Sequence, residues 1–359
     1  MVKFIFKHNS QLKHSFFQMT LLMYIIIFLM MLFNFFSLLS TTFTTLWIFM
    51  EINSILMTSL IILSSKNWNL TFKFYLIQFI ASMFMILAFF NNDIILVDQD
   101  GYLIKLNDFV IVLSILLKIG IFPFNWWPPK IMYLLPWNII LIYSTIQKFI
   151  PLIVLVNSNI VMTHPMIFAL VMIHMVISAI FMVKQNNLKK LMLHSSLINL
   201  SWLIIINLIN LTLFIMCFSM YFLCMLSIIM ILAQFDINQF SDLEIFFKND
   251  SKKLLYLMIM IMTLMMIPPF LTFNLKFSIF NQYLNMESWM IMSFLLLFSA
   301  LIMFSYIKII KKIFIYQKTM FKPKSYPIKK IYQPAPMYLY ILPVMILTSL
   351  FILLWYFFY

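Results

Sequence analysis

The chain has 359 residues, of which 64% are hydrophobic and 9% are charged, and its mean hydropathy is +1.04. This composition excludes a water-soluble globular protein and predicts an all-α polytopic membrane protein. The net charge of +14 would suggest a nucleic-acid partner in a soluble chain. Here the lysines cluster in the loops between apolar segments, so we expect no nucleic acid.

About eleven apolar segments follow one another along the chain, and each approaches the roughly 20 residues that a helix needs to cross a bilayer. No soluble domain of any size remains between them. The predicted organisation is a basic N-terminal tail at residues 1–19 and a single transmembrane domain at residues 20–359. The predicted spans lie near residues 20–40, 43–64, 74–96, 108–127, 137–156, 165–183, 191–209, 211–233, 254–284, 289–310 and 336–357.

Basic residues fall almost entirely on one side of these spans. The N-terminal tail and alternate loops carry the lysines, ending in the run 308–330, whereas the opposite loops carry only Lys105. The positive-inside rule then places the N-terminus on the cytoplasm-like side and the C-terminus across the membrane. The run 308–330 is also a candidate contact for anionic lipid headgroups, at about 1 kcal/mol per lysine, although topology alone explains the clustering.

The residue usage is skewed in a second way, with 41 Phe and 32 Met but two Gly and no Arg. The favoured residues have A/T-rich codons, which indicates an organellar genome; an A/T-rich bacterial endosymbiont would give a similar skew. Residues 1–19 lack the Arg-rich pattern of a transit peptide. A protein made inside the organelle would need no import signal.

Motifs for redox or nucleotide cofactors are missing from the sequence. With Gly101 and Gly120 as its only glycines, the chain cannot form a Gly-rich phosphate loop. Cys217 and Cys224 lie on one apolar helix and are better explained by packing than by redox chemistry. We therefore expect nucleotide and redox cofactors to bind to other chains.

Four charged residues lie inside predicted spans: Glu51, Lys118, Lys148 and Lys276. An ammonium group at the middle of a bilayer costs about 2.5–3.5 kcal/mol on insertion scales, so such residues face a bundle interior or an aqueous path. A static salt bridge to Glu51 would satisfy one lysine and leave two to explain. Because burial favours the neutral amine and a nearby carboxylate favours the ammonium, we interpret the set as a proton relay.

Polar residues accompany these charges at helical spacing, which predicts that each charged face lies against protein or water. His174 lies in the middle of its own apolar segment with Ser178 four residues later. It is either a further member of the relay or a satisfied interior histidine. The accompanying residues are Thr44, Trp47, Ser54 and Thr58 around Glu51, Ser114 and Asn125 around Lys118, Ser144 and Thr145 before Lys148, and Thr272 before Lys276.

Two of the predicted spans are interrupted by proline, at Pro123 and at the pair Pro268 and Pro269, and each also carries a lysine. Proline frees a backbone carbonyl inside a helix. Corresponding Pro-broken helices are typical of transporters built from inverted repeats, with ion sites at the breaks. The alternative is two unrelated kinks.

Five sequence blocks occur together in one order, and through them the chain resembles the NADH dehydrogenase subunit 2 family. Members of that family are mitochondrially encoded, antiporter-like subunits of respiratory complex I. The match extends over most of the chain between residues 47 and 282. The blocks are WIFMEIN at 47–53, LKIGIFPFNWWPP at 117–129, QKFIP at 147–151, LKKLMLHSS at 188–196 and IPPF at 267–270.

The resemblance implies an antiporter-like fold of eleven helices with inverted repeats, located in the mitochondrial inner membrane. The N-terminus would lie in the matrix and the C-terminus in the intermembrane space. The implied partners are other membrane-arm subunits of complex I, including neighbouring antiporter-like subunits, and membrane lipids, with cardiolipin as a candidate. NADH, FMN, iron–sulfur clusters and ubiquinone would bind to other subunits.

The family's transmembrane glutamate and three channel lysines match Glu51, Lys118, Lys148 and Lys276. The chain departs from the family at Asn199 and Ser201, where histidine and glycine are usual, and near the second proline pair, where glycines are usual. Asn199 can hydrogen-bond water but cannot titrate.

We therefore predict a proton-translocating membrane-arm subunit that acts within an NADH:ubiquinone oxidoreductase translocase. Glu51 would modulate the charge of Lys118, Lys148 would link two half-channels, and Lys276 would exchange protons with the adjacent subunit or the far side. Two alternatives remain open. One is a free-standing cation/proton antiporter, and the other is a structural membrane subunit whose buried charges are static.

Overall fold

The computed structural model describes residues 2–40, 42–95, 101–157, 165–209, 211–234, 237–242, 251–265 and 297–311. Within these ranges the chain is almost entirely helical, and the one β-type pairing is an antiparallel bridge between Asn187 and Gln239. The predicted all-α class is confirmed. Lys276, Pro268 and Pro269 lie outside the described residues.

Twelve helical stretches, numbered here in chain order, account for most of the described residues. They are α1 Val2–Leu39, α2 Phe43–Ser65, α3 Trp68–Ile95, α4 Gly101–Ile119, α5 Trp127–Met132, α6 Trp137–Ser144, α7 Ile146–Asn157, α8 Pro165–Lys184, α9 Leu188–Ile209, α10 Leu211–Gln234, α11 Ser251–Leu264 and α12 at 297–311.

Five described stretches are long and apolar enough to cross a membrane, and this supports the predicted multi-pass character. Their surfaces are apolar too: Phe28 on α1 and Leu87 on α3 are 63% and 59% exposed, as expected where the solvent is lipid. The count of eleven spans stays a prediction, because much of the chain after residue 242 lies outside the described ranges. The five stretches are Leu21–Leu39, Phe43–Ser65, Trp68–Phe89, Trp137–Leu155 and Leu211–Gln234.

The described residues group into two compact units. Unit 1 contains α1 to α4 together with α6 and α7. In it, α3 packs on α4, and α2 contacts α1, α3, α6 and α7. Unit 2 contains residues 121–129 and α8 to α12. In it, α9 packs between α8 and α10, and α10 also contacts α11.

The first helix break follows Lys118, so the predicted span at 108–127 is helical only as far as Ile119. Gly120 has φ of 83°, a conformation that glycine adopts without a Cβ clash, and its N–H still donates to the Leu116 carbonyl at 2.9 Å. Pro123 follows three residues later. Helix α5 then begins at Trp127 with Pro128 and Pro129, which are tolerated in a first turn because their N–H groups would have no helical partner.

A second break divides the predicted span at 137–156 into α6 and α7. Thr145 leaves the helical region, with φ of −121° and ψ of −78°, and its hydroxyl donates back to the Leu141 carbonyl at 2.7 Å. Such local side-chain bonds compete with helix continuation. Pro151 lies inside α7 and cannot donate to the preceding turn. Lys148 therefore lies in the first turn of a new helix.

Candidate functional site

The centre of the site is an ion pair between α2 and α4 in unit 1. The Lys118 Nζ donates to Glu51 Oε1 and forms an ion pair with it. The Lys118 side chain is 3% exposed and the Glu51 side chain is 22% exposed. A buried ammonium group is thus paired with a carboxylate that remains partly exposed at the surface of this chain.

The carbonyls that end α4 are held by side chains from two neighbouring helices. The Gln78 Nε2 on α3 donates to the Lys118 carbonyl at 3.2 Å, and the Tyr143 hydroxyl on α6 donates to the Ile119 carbonyl at 3.1 Å. The last carbonyls of a helix have no partner within it, so these two donors fix where α4 ends. Lys118 lies in that last turn, where the negative end of the helix dipole favours a cation.

Lys148 is buried on α7, and its Nζ lies 4.9 Å from the centroid of the Tyr143 ring. An ammonium group within about 6 Å of an aromatic face is attracted by the ring quadrupole. Tyr143 therefore contacts both lysine-bearing helices of unit 1, α4 through its hydroxyl and α7 through its ring. Both Gln78 and Tyr143 lay outside the polar residues that helical spacing had singled out.

A buried asparagine pair supports the second break. Asn34 on α1 donates from Nδ2 to the Ile146 carbonyl at 2.9 Å, and Asn53 on α2 donates from Nδ2 to Asn34 Oδ1 at 2.9 Å. Three helices are thereby connected at the residue where α7 begins, two positions before Lys148. The sequence signal for this pair was the presence of two asparagines in otherwise apolar segments.

We expect Asn34→Leu to lower the free energy of unfolding of the assembled protein by about 2–4 kcal/mol. The substitution leaves the Asn53 side-chain amide buried without its acceptor, at about 1–3 kcal/mol, and removes the hydrogen bond from Asn34 to the Ile146 carbonyl, at about 0.5–1.5 kcal/mol. The temperature of half-inactivation in membranes or detergent measures the effect. Asn69→Leu, at an exposed position on α3, is the matched control. Equal half-inactivation temperatures for the two variants would contradict the role given to Asn34.

His174 makes its contact with α9 in unit 2. The ring Nδ1 lies 2.9 Å from the Ser201 hydroxyl oxygen, and the Ser178 hydroxyl donates to the His174 carbonyl at 2.6 Å. Ser201 is one of the positions where the chain departs from the family it resembles. The buried histidine thus has a hydroxyl partner, which suits both the relay and the interior-histidine interpretation.

Hydroxyl groups beside the charges bond to their own helices. Ser54 donates to the Glu51 carbonyl at 2.8 Å, and Ser114 donates to the Ile111 carbonyl at 2.6 Å. Within the expected stripe on α2, Thr44 is exposed and Ser54 is buried, so the stripe runs from the surface into the helix packing. In these hydrogen bonds the hydroxyl group donates to a backbone carbonyl of its own helix. The hydroxyl oxygen can still accept a hydrogen bond from another group.

Of the remaining predicted site residues, only Pro123 lies within the described ranges. Pro123 lies exposed in the break after α4. The correspondence between this break and the one expected at Pro268 and Pro269 stays a prediction, as does the position of Lys276, because all three residues lie outside the described ranges.

The sequence matches a known family over most of its length. The family described as "NADH:quinone oxidoreductase/Mrp antiporter, TM" matches residues 40–303, a range that includes all four charged candidates. A similar protein of Anopheles gambiae, "NADH-ubiquinone oxidoreductase chain 2", is 28% identical over 259 residues, which cover 69% of this chain and 72% of that protein. A protein of the same name from Myxine glutinosa is 28% identical over 271 residues, covering 72% and 76% of the two chains.

Solved structures share the fold at low sequence identity. A chain of respiratory complex I from Thermus thermophilus aligns with a TM-score of 0.70 at 17% identity, covering 85% of this chain and 72% of that chain. A chain of the Mrp complex from Dietzia aligns with a TM-score of 0.65 at 12% identity, covering 76% and 56%. The antiporter-like fold predicted from the sequence is confirmed.

Proposed function

This chain belongs to the NADH:quinone oxidoreductase/Mrp antiporter transmembrane family, and from that premise we propose that it is a proton-translocating membrane-arm subunit of a respiratory NADH:ubiquinone oxidoreductase. Relatives named NADH-ubiquinone oxidoreductase chain 2 match about 70% of the chain. The resemblance seen in the five sequence blocks is thereby confirmed. The family includes Mrp antiporters as well, but the Dietzia Mrp chain is similar in fold at only 12% identity, whereas the relatives that match in sequence are named for NADH-ubiquinone oxidoreductase, so the complex I assignment has the stronger support.

The observation that carries the proposal is the buried Lys118–Glu51 pair beside the break that ends α4. In a low-dielectric site the neighbouring carboxylate is what stabilises the ammonium group. Moving Glu51 away removes that stabilisation and favours release of the Lys118 proton. Moving Glu51 back favours proton uptake. If redox chemistry on other subunits displaces Glu51, Lys118 would release its proton, and the return of Glu51 would let Lys118 take up another.

Lys148 is the proposed next site, because it lies on the helix that follows the second break in the same unit. We propose that Lys276 exchanges the proton with the adjacent subunit or the far side. Hydroxyl oxygens and water would connect these amines, since the side-chain hydroxyls beside them retain acceptor capacity. No redox step is assigned to this chain; NADH, FMN, iron–sulfur clusters and ubiquinone would be bound by its partners.

The proposed location is the mitochondrial inner membrane, with the N-terminus in the matrix and the C-terminus in the intermembrane space. The support is the lysine asymmetry of the loops together with the A/T-rich residue usage. The proposed neighbours are other membrane-arm subunits. For the lysine run 308–330, anionic lipids such as cardiolipin remain candidate contacts.

The test of this function measures lumen acidification in sealed vesicles that contain the assembled complex, with NADH and quinone or with an imposed sodium or potassium gradient alone. Acidification that follows NADH oxidation supports the proposal. Proton exchange driven by the cation gradient in vesicles that contain this chain alone, without NADH, would instead establish the free-standing antiporter.

We expect Glu51→Gln to slow NADH-linked pumping about tenfold, the change that loss of ~1.4 kcal/mol of charge stabilisation produces. This magnitude is kept modest because Glu51 is partly exposed and therefore screened. Pumping per assembled complex is measured against Asp242→Asn, which removes an acidic charge from the turn at residues 237–242. Native pumping in Glu51→Gln would remove the pair from the mechanism.

A further inference from the structure

We propose that Tyr143 is a positioning residue that couples the two lysine sites of unit 1. The inference rests on the proposed function and deepens it, since it assigns a physical connection between Lys118 and Lys148. Tyr143 is fully buried in the last turn of α6, immediately before the break at Thr145. It stands between the end of one lysine-bearing helix and the start of the other.

Two contacts of this one side chain define the connection. The hydroxyl donates to the Ile119 carbonyl at 3.1 Å, at the residue directly after Lys118. The ring lies under the Lys148 ammonium group, with Nζ 4.9 Å from the centroid. Because the phenol is rigid and rotates about only two side-chain bonds, its hydroxyl and its ring cannot move independently by much.

The distance between the Lys148 Nζ and the Tyr143 ring determines how strongly a movement of the ring affects Lys148. Cation–π attraction is significant within about 6 Å of the ring centroid, so the observed 4.9 Å leaves about 1 Å of ring movement before the contact reaches that limit. Such a displacement follows if the end of α4 shifts when the Lys118–Glu51 pair opens, since the hydroxyl is bonded to that end. The charge state of one lysine would thereby change the environment of the other without a direct contact between them.

Helix ends need donors for their carbonyls, so a purely structural role for the hydroxyl is the competing explanation. Two substitutions separate the roles. Tyr143→Phe removes the hydrogen bond to Ile119 and keeps the ring beside Lys148. Tyr143→Leu removes the ring as well. Tyr221→Phe is the matched control, because it removes a hydroxyl from another buried tyrosine, one whose ring packs against Phe218 on α10.

The measurement is NADH-linked proton pumping per assembled complex as a function of pH. We expect Tyr143→Phe to lower the rate about 3- to 10-fold, as loss of one buried hydrogen bond does, with the pH profile unchanged. In Tyr143→Leu the rate falls further and the alkaline limb of the profile moves, because only this variant removes the aromatic face from the ammonium group. Tyr221→Phe keeps the native rate and profile.

Two results would overturn the inference. One is native pumping per complex and a native pH profile in Tyr143→Leu. The other is a loss confined to assembly, with normal pumping in whatever assembles, which would make Tyr143 a structural residue only. The outcome for Lys118→Met in the same vesicles separates this failure from failure of the proposed function. If that variant loses pumping while both Tyr143 variants retain it, the relay stands and the coupling role of Tyr143 is wrong.

Discussion

Lys118→Met is expected to reduce NADH-linked proton pumping about 100-fold or more per assembled complex, the lower end of what one positioned proton-transfer group contributes. Methionine matches the length of lysine and creates no large cavity, but it cannot carry a proton. NADH oxidation falls together with pumping if the two are tightly coupled. Proton uptake and NADH oxidation are measured in the same sealed vesicles. Lys130→Met, at an exposed lysine on α5, is the control and keeps native rates.

Assembly has to be separated from chemistry in that experiment. Removing one partner of a fully buried ion pair destabilises a protein by about 3–5 kcal/mol, whereas replacing both partners is often neutral. Lys118→Met leaves Glu51, which is 22% exposed, so we expect a smaller cost here. The double variant Glu51→Gln with Lys118→Met should therefore assemble better than Lys118→Met alone. Under the relay hypothesis it still does not pump. Native pumping by a fully assembled double variant would show that the pair is a static structural charge.

The sequence predicted the charged centre of the site because a buried ammonium group is expensive wherever it occurs. That cost depends on the apolar run around Lys118 and needs no knowledge of tertiary structure. The pairing with Glu51 could not be predicted in the same way. It depends on how α2 and α4 pack, and helical spacing within one segment says nothing about which neighbouring segment a side chain meets.

The two helix breaks show the same difference between local and tertiary information. Gly120 and Pro123 mark the first break in the sequence itself, and the structure ends α4 directly before that glycine. The second break was missed because Thr145 is compatible with a helix, and because Pro151, the local signal, lies six residues later. Asn34, which supports the start of α7 from 112 residues away, becomes recognisable as a partner only when α1 is seen beside α7.

Tyr143 was missed for a different physical reason. A tyrosine in an apolar segment fits a hydrophobic core without any functional role, so its presence carries no signal of its own. Its importance comes from two contacts made in opposite directions, one to a helix end and one to an ammonium group. Sequence reasoning that searches for charged residues finds the lysines and passes over the neutral side chain between them.

Lys148→Met tests whether the proton path extends beyond the ion pair, and we expect a loss of pumping of at least about tenfold per assembled complex, since a titrating relay member is removed. Lys148 is among the largest fully buried side chains, and methionine of similar length keeps that packing, so assembly should persist. The exposed Lys73→Met on α3 is the control, and proton uptake per NADH oxidised is the measurement. If Lys148→Met pumps normally while Lys118→Met does not, protons leave Lys118 on the Glu51 side. The link through α7 would then be wrong, although Lys118 would keep its role.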